Sequence, residues 1–231
     1  MNTAAVIVAA GPGSRLGAGL PKAFIDLGGI PLVIRSLRAV LSAPAIMSAV
    51  IVAPPSEVDR TRRLLDVHGP WRCPVALTPG GAERQDSVRN GLAAVGPAEL
   101  IAIHDAARPF ISRDSIEAAI AAAAQHGAAI VATPATDTLK QVHPEGWIEA
   151  TPPRERMWVA QTPQIFRADL IRAAHTQPES RHGAATDDAV LVERLGARVY
   201  VVRGNPENRK ITTPEDLRWA EWWLAQSPGS R

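Results

Sequence analysis

The chain reads as an α/β protein built on a mostly parallel, twisted sheet with helices on both faces, from which a small β-arm protrudes. Short unbroken apolar runs alternate with helical apolar stripes along most of the sequence, the pattern of strands buried on both faces and joined by crossover helices. Most of these runs end in turns rich in Gly or Pro. The alternation breaks once, between Pro134 and Pro153, and that break predicts the arm. A length of 231 residues supports one substantial domain with a proper core plus this excursion.

The elements follow in order. Residues 4–10 form the first strand and run into Gly11-Pro12-Gly13-Ser14, a tight turn. Residues 25–31 are a short hairpin-like link, after which Val33, Leu37, Val40 and Leu41 give the stripe of a helix. Residues 49–53 are the next strand, closed by Pro54-Pro55, with Ser56 in position to cap a helix carrying Val58, Leu64 and Leu65. Residues 75–77 form a third strand, Pro79-Gly80-Gly81 turns the chain, and Val88, Leu92 and Val95 mark another helix. A strand at 100–103, an Ala-rich helix at 111–126 and a strand at 128–133 continue the rhythm, which implies right-handed crossovers.

In the arm, residues 136–142 and 147–151 read as two strands around a polar turn. This hairpin carries too little apolar surface to pack alone, so docking on a second subunit is expected, with an unpartnered surface hairpin as the alternative. A strand at 158–161, helices at 168–175 and about 187–195, and a strand at 198–203 resume the pattern. Thr213, Pro214, Glu215 and Asp216 supply the N-cap, first-position proline and first-turn acids of the last helix, whose Trp219, Trp222 and Trp223 suit packing or an interface.

Composition narrows the function. The net charge of +2, with acids and bases interspersed, gives no reason to expect nucleic acid or an anionic membrane as partner. Cys73 is the single cysteine, which rules out an internal disulfide and fits a reducing cytoplasm. No run approaches the ~18 apolar residues of a membrane span, and the first apolar run ends in Gly-Pro-Gly instead of a cleavage site, so a cytoplasmic protein is expected.

Four polar clusters stand at strand ends or loops. The opening loop, with Arg15 and Lys22 just beyond it, suits a polyphosphate: backbone N–H groups at the carboxyl edge of a sheet, an Arg able to chelate oxygens in pairs and a Lys point charge. It matches neither the Walker loop, for want of a Gly-Lys pair, nor the dinucleotide fingerprint, because Leu16 stands at the third glycine position. The segment 80–87 enters a helix from a glycine turn and offers N–H groups and Ser87, or else only caps that helix. Asp105, directly after a strand, lies where a Mg²⁺ bridging phosphates would be held, or is fixed by Arg108 as a loop ion pair; His104 reads as structural. Arg154, Arg156 and Thr162, with Arg209 and Lys210, can gather a second anion, or else form a solvated basic surface, and Asp187-Asp188 reads as helix N-terminal acids. No Ser, Cys or His nucleophile arrangement appears. A phosphate monoester attacking an activated donor needs no base, since its second ionisation lies near pH 6. It needs charge neutralisation and in-line alignment.

The phrases AAGPGSRLGAGLPKAF, GGAERQDSVRNGL, HDAARPFI, ATDTLK, WVAQTPQIF, ATDDAVLVE and NRKITTPEDL, in this order over about residues 4–225, resemble the 2-C-methyl-D-erythritol 4-phosphate cytidylyltransferases of non-mevalonate isoprenoid synthesis. The resemblance implies a Rossmann-like nucleotidyltransferase fold and a homodimer with an exchanged arm at about residues 134–153. It also implies Mg²⁺ dependence, other divalent ions being acceptable, and CMP transfer from CTP to 2-C-methyl-D-erythritol 4-phosphate. By the same resemblance Ala9, Ala10, Gly11 and Gly13 line the triphosphate, and Arg15 and Lys22 stabilise charge at the α-phosphorus. Gly81, Arg84 and Ser87 face cytosine and ribose, and Asp105 and Ala106 the ribose and metal. Arg154 and Lys210 orient the methylerythritol phosphate, Arg108 and Thr138 assist from the partner subunit, and Thr162 forms the floor. Ala82 and Arg209 depart from the family pattern, in which an acidic and an aliphatic residue are common there; Ala82 bears on the hydrogen bonds of the cytosine loop, and Arg209 is expected to add charge beside Lys210 in the substrate phosphate pocket. Family members fused to a cyclodiphosphate synthase exist, and the chain stops about where that domain begins, so a stand-alone enzyme is expected. The rival readings are a cytidylyltransferase for another polyol phosphate, such as ribitol 5-phosphate, and a non-catalytic CTP-binding module.

Overall fold

The computed structural model describes residues 1–11, 20–177 and 185–226. The first half comprises β1 (Thr3–Val8), the small pair β2 (Asp26–Leu27) and β3 (Ile30–Pro31), α1 (Leu32–Leu41), β4 (Ile46–Ala53), α2 (Val58–His68), β5 (Val75–Pro79), α3 (Arg84–Ala94) and β6 (Leu100–Asp105). The second half comprises α4 (Arg113–His126), β7 (Ala128–Pro134), the hairpin β8 (Gln141–Val142) and β9 (Ile148–Ala150), β10 (Trp158–Arg167), α5 (Ala168–Thr176), α6 (Asp188–Arg194), β11 (Tyr200–Arg203) and α7 (Pro214–Gln226).

One 7-stranded sheet, in the order β11-β7-β10-β6-β1-β4-β5, carries the fold. β1 is central, with β4 and β6 parallel to it on either side. β5 lies parallel beyond β4, and β11 lies parallel to β7. β10 alone runs antiparallel, between β6 and β7. The period of two along β1 divides the core. Ala5, Ile7 and Ala9 pack with Val33 and Leu37 of α1 and Ile116 and Ala119 of α4, whereas Ala4 and Val6 pack with Val88 and Leu92 of α3, Ile171 of α5 and Leu191 of α6. Helices therefore cover both faces, and each fully buried Ile or Leu contributes about 1.5–3 kcal/mol.

Two local expectations are corrected. Ser56 does not cap α2; it sits inside a 3₁₀ turn, Pro55–Glu57, and α2 begins after Glu57 with no side-chain cap. The strand expected at 158–161 continues to Arg167 as β10. Pro163 lacks an N–H, and the register irregularity between Ala160 and Gln164 lets the ladder resume beyond it. The hairpin forms, with shorter strands than expected, and leaves Trp147 and Ile148 exposed at 73% and 62%. On α7, Thr213 Oγ1 accepts from the N–H of Asp216 at 3.2 Å, as an N-cap should. Trp219 stacks on Trp223 and meets Phe110 edge-on, so this part of the aromatic stripe serves packing. Among the described residues no helix is long and apolar enough to cross a membrane.

Candidate active site

The strand order on either side of β1 defines the crevice. α1 carries the chain from β1 to β4 on one side while β6 lies on the other, and ligands of open α/β sheets bind beyond the carboxyl ends of strands at such a switch. Val8 stands opposite Asp105 at these ends. The ladder continues just past them, with Ala9 N–H donating to the Val52 carbonyl at 2.8 Å, Ala106 N–H to Val8 at 3.0 Å and Gly80 N–H to Ala53 at 2.7 Å. Ser36 of α1 adds a 2.8 Å hydrogen bond to the Ala106 carbonyl.

The opposite wall is the turn before α3. A side chain on Gly80 would put its Cβ 2.4 Å from that of Ala10, and one on Gly81 would come 2.3 Å from Asp86 Cβ, so both positions require glycine for close approach. Glu83 and Asp86 close a reciprocal capping box on the first turn of α3. The buried Ser87 hydroxyl accepts from Gly81 N–H and donates to the Glu83 carbonyl, both at 3.1 Å. Its visible work is to hold this turn.

Between the walls lies a pocket of about 610 Å³ open to solvent, lined by Ala9, Ala10, Gly11, Lys22, Gly81, Arg84, Ser87, Asp105, Ala106 and Lys210, with Ala82 and Glu83 beside them. A second hollow of about 490 Å³ shares Arg84, Asp105 and Lys210 with it and adds Arg108, Gln161, Thr162 and Gln164. Asp105 is the post between the two. Lys210 Nζ sits 2.7 Å from its Oδ2, Arg84 Nε 3.5 Å from its Oδ1 and Arg108 Nε 3.9 Å from its Oδ2. Burial alone would raise the Asp105 pKa, but Lys210, Arg84 and Arg108 outweigh it and hold the carboxyl well below the usual range. Burial likewise works against the Arg84 charge, and Asp188 and Asp105 reverse that, keeping the guanidinium fully cationic.

Arg84 is anchored from behind by residues whose role the sequence left unread. Its Nη2 donates to Asp188 Oδ2 at 2.8 Å, and His175 Nε2 lies 3.2 Å from Asp188 Oδ1. Gln164 of β10 fixes this carboxylate in turn: its Oε1 accepts from the N–H groups of Asp188 and Ala189, and its Nε2 donates to Asp187. The expectation that Asp187 and Asp188 are helix N-terminal acids holds for both: Asp187 caps α6 by accepting from the Val190 N–H, and Asp188 stands in its first turn, where it is also the buried counter-ion of Arg84. The 104 residues between the partners explain why no local pattern reveals the pair.

A second line of support runs through His104, buried and neutral as a structural residue should be. Its Nε2–H donates to the Arg108 carbonyl at 3.0 Å, and its Nδ1 accepts from the Thr162 hydroxyl at 3.0 Å. Thr162 Oγ1 accepts from the Asp105 N–H at 3.1 Å. Burial pushes the His104 pKa down to about 4, against the raising effect of its bond to Arg108 and of nearby Asp105.

Arg108 was expected to act across a subunit boundary; the structure has it lining its own chain's hollow, where Nη1 donates to the Asn208 carbonyl at 2.7 Å. Thr138 and Arg154 line neither cavity. Thr138 is exposed, and Arg154 Nη1 donates to the Thr136 carbonyl at 3.0 Å at the base of the arm. Arg209 also misses the site: its guanidinium lies 4.8 Å over the Trp219 ring and 3.2 Å from Asp216, so the departure from the family pattern serves α7 instead of the phosphate pocket. Gly13 and Arg15 lie outside the described residues. Among the described residues no three His, Cys, Asp or Glu side chains converge as a metal cage. Asp105, ionised and lining both cavities, is a carboxylate that could hold a divalent ion together with phosphate oxygens and water, in exchange for its present ion pairs with Lys210 and Arg84.

Comparison with known proteins agrees with this fold. The family model for 2-C-methyl-D-erythritol 4-phosphate cytidylyltransferase (IspD) matches residues 3–226. Curated relatives of that name include one from Pelotomaculum thermopropionicum, 47% identical over 95% of this chain and 93% of its own length, and one from Geobacter metallireducens, 43% identical over 98% and 99%. Among solved structures, 4-diphosphocytidyl-2C-methyl-D-erythritol synthase from Anaerococcus prevotii superposes with a TM-score of 0.85 at 30% identity, covering 97% of this chain and 98% of that one. The 2-C-methyl-D-erythritol 4-phosphate cytidylyltransferase from Thermus thermophilus gives 0.78 at 33% identity, over 97% and 100%. The chain belongs to the 2-C-methyl-D-erythritol 4-phosphate cytidylyltransferase family.

Proposed function

We propose that this protein transfers the cytidylyl group of CTP to 2-C-methyl-D-erythritol 4-phosphate. A phosphate oxygen of the polyol attacks the α-phosphorus, the bond from that phosphorus to the bridging oxygen breaks, and pyrophosphate leaves with the electron pair. The observation that carries this reading is Asp105 standing between two cation-lined cavities that share Arg84 and Lys210. One cavity has the backbone walls and the cations for a nucleoside triphosphate, and the other has Arg108, Lys210 and Thr162 for a second phosphate.

Ala9, Ala10, Gly11 and, from the sequence, Gly13 and Arg15 are assigned to the triphosphate, with Lys22 and Arg15 stabilising charge as pyrophosphate departs. Gly81, Arg84 and Ser87 shape the nucleoside side, Ser87 by holding the turn, and Asp105 and Ala106 the ribose side. Asp105 would hold Mg²⁺, or another divalent ion, which when bound neutralises the phosphates. Lys210, Arg108 and Thr162 receive the polyol phosphate. Thr138 and Arg154, outside both cavities of their own chain, are assigned to a homodimer in which the arm reaches the partner's cleft; the exposed Trp147 and Ile148 support a buried fate for that arm. A reducing, cytoplasmic setting suits the lone Cys73.

The test is a pyrophosphate-release assay crossing four nucleoside triphosphates with several polyol phosphates. CTP with 2-C-methyl-D-erythritol 4-phosphate should turn over fastest. A preference for ribitol 5-phosphate would overturn the acceptor, and CTP binding without pyrophosphate release from any pair would overturn the enzyme.

A further inference from the structure

Lys210 is delivered by a segment between β11 and α7 that has no ladder or helix of its own, so its position depends on a few separate anchors. The segment alternates. Asn208 points inward and is completely buried, Arg209 turns out onto Trp219, Lys210 points in to Asp105, and Ile211 is completely buried with Leu27, Leu32 and Ala220. The Ile211 N–H also donates to the Ala107 carbonyl at 2.8 Å, which fixes the far side of Lys210.

The near side is fixed by Asn208. Its Nδ2 donates to Gln161 Oε1 at 2.9 Å and to the Thr162 carbonyl at 2.8 Å, both on β10. Its own carbonyl accepts from Arg108 at 2.7 Å, and Gln161 Nε2 reaches the Asn205 carbonyl at 3.2 Å. One buried residue therefore ties together the strand bearing Thr162, the loop bearing Arg108 and the segment bearing Lys210. Packing alone does not account for an amide here. Asn208 Oδ1 is buried with no hydrogen-bond partner among the described residues, a penalty that an apolar side chain of similar volume would avoid. What the amide supplies is its two N–H donors.

We propose that Asn208 is a positioning residue for Lys210, holding the ammonium between the two cavities where the acceptor phosphate binds. The proposal rests on the assignment of Lys210 to that phosphate. A shift of the anchor passes directly to a side chain two residues along, and a misplacement of about 1 Å at a reacting site costs on the order of 10²-fold in rate.

The experiment compares Asn208→Asp, which keeps the shape and removes both donors, and Asn208→Ser, which adds no charge and keeps one donor. Each is made alone and with Lys210→Ala, and all are assayed by pyrophosphate release from CTP and 2-C-methyl-D-erythritol 4-phosphate with melting curves alongside. The expected result is a KM for the polyol phosphate raised by about tenfold or more, with the KM for CTP changed less than about twofold. On the Lys210→Ala background the same substitutions should cost several-fold less than they do alone, because residues acting through one group are not additive, with a remainder passed through Thr162 and Arg108. Should Asn208→Asp fail to fold, Asn208→Ser carries the comparison. Full penalties on the Lys210→Ala background, or equal rises in both KM values, overturn the inference while active unsubstituted enzyme keeps the functional reading intact. An unsubstituted chain that releases no pyrophosphate overturns both.

Discussion

His104 makes the stability of the site depend on pH in a direction the structure dictates. Its Nε2–H is committed to the Arg108 carbonyl and its Nδ1 to accepting the Thr162 hydroxyl, so the fold requires the neutral ring. The folded pKa of about 4 lies below the ordinary 6.5, so between these values the unfolded chain takes up a proton that the folded chain refuses. Stability is full above about pH 6.5 and is lost as pH falls toward 4, with a slope given by the difference in bound protons. At pH 5 that difference amounts to about 2 kcal/mol, or a drop of about 4–8 °C in Tm for a domain of this size. The assay is thermal melting at pH 7 and at pH 5 of the unsubstituted protein and of His104→Gln. The variant should start lower at pH 7, having lost a buried hydrogen bond, by about 1–2 kcal/mol. Its further loss on acidification should be smaller than that of the unsubstituted protein by about 2 kcal/mol. Parallel losses in the two proteins would refute the reasoning.

Other substitutions probe the walls of the cleft. Asp188→Asn should lower stability by about 3 kcal/mol, the lower end for breaking a buried pair because Arg84 keeps Asp105. The Asp188 pKa is depressed in the fold, so its contribution is present above the unfolded value near 4 and is lost as pH falls below it; the Tm gap between the two proteins should narrow in acid. Gly80→Ala forces a Cβ to 2.4 Å from Ala10 Cβ and should cost about 1–3 kcal/mol together with a raised KM for CTP, read from melts and initial rates. Lys22→Ala should lower kcat by about 10²–10³-fold while CTP binding stays measurable by calorimetry.

The sequence foretold the parts of this molecule that depend on neighbours in the chain. Buried runs such as Ala4 to Val8 and stripes such as Val33, Leu37 and Val40 obey periods of two and of about 3.6, and the structure follows them. Asp105 at a strand end beside a glycine turn is likewise a local pattern. What escaped was non-local or concealed by an exception. Pro163 interrupts a strand whose ladder nevertheless recovers, so more than half of β10, from Thr162 to Arg167, went unread. Asp188 resembles any first-turn acid until Arg84, on α3, is brought against it. Nothing near Asn208 announces a partner 47 positions away in Gln161. Arg209 looked like a pocket residue because Lys210 is one, yet successive side chains of an extended segment point to opposite sides.

In the proposed reaction, alignment and cations replace a proton-abstracting side chain. Within the cleft, Asp105 is held ionised and His104 lies neutral behind it with a pKa near 4. Glu83 and Asp187, at the edges of the two cavities, are engaged as caps of α3 and α6. The direct measurement is the pH profile of kcat/KM for the polyol phosphate between about pH 5.5 and 9, repeated with a phosphonate analogue of different second pKa. A single bend near pH 6 that moves with the acceptor's own ionisation is the predicted result. A bend that stays fixed near neutral pH whichever acceptor is used would reveal a titrating base in the enzyme and contradict this mechanism.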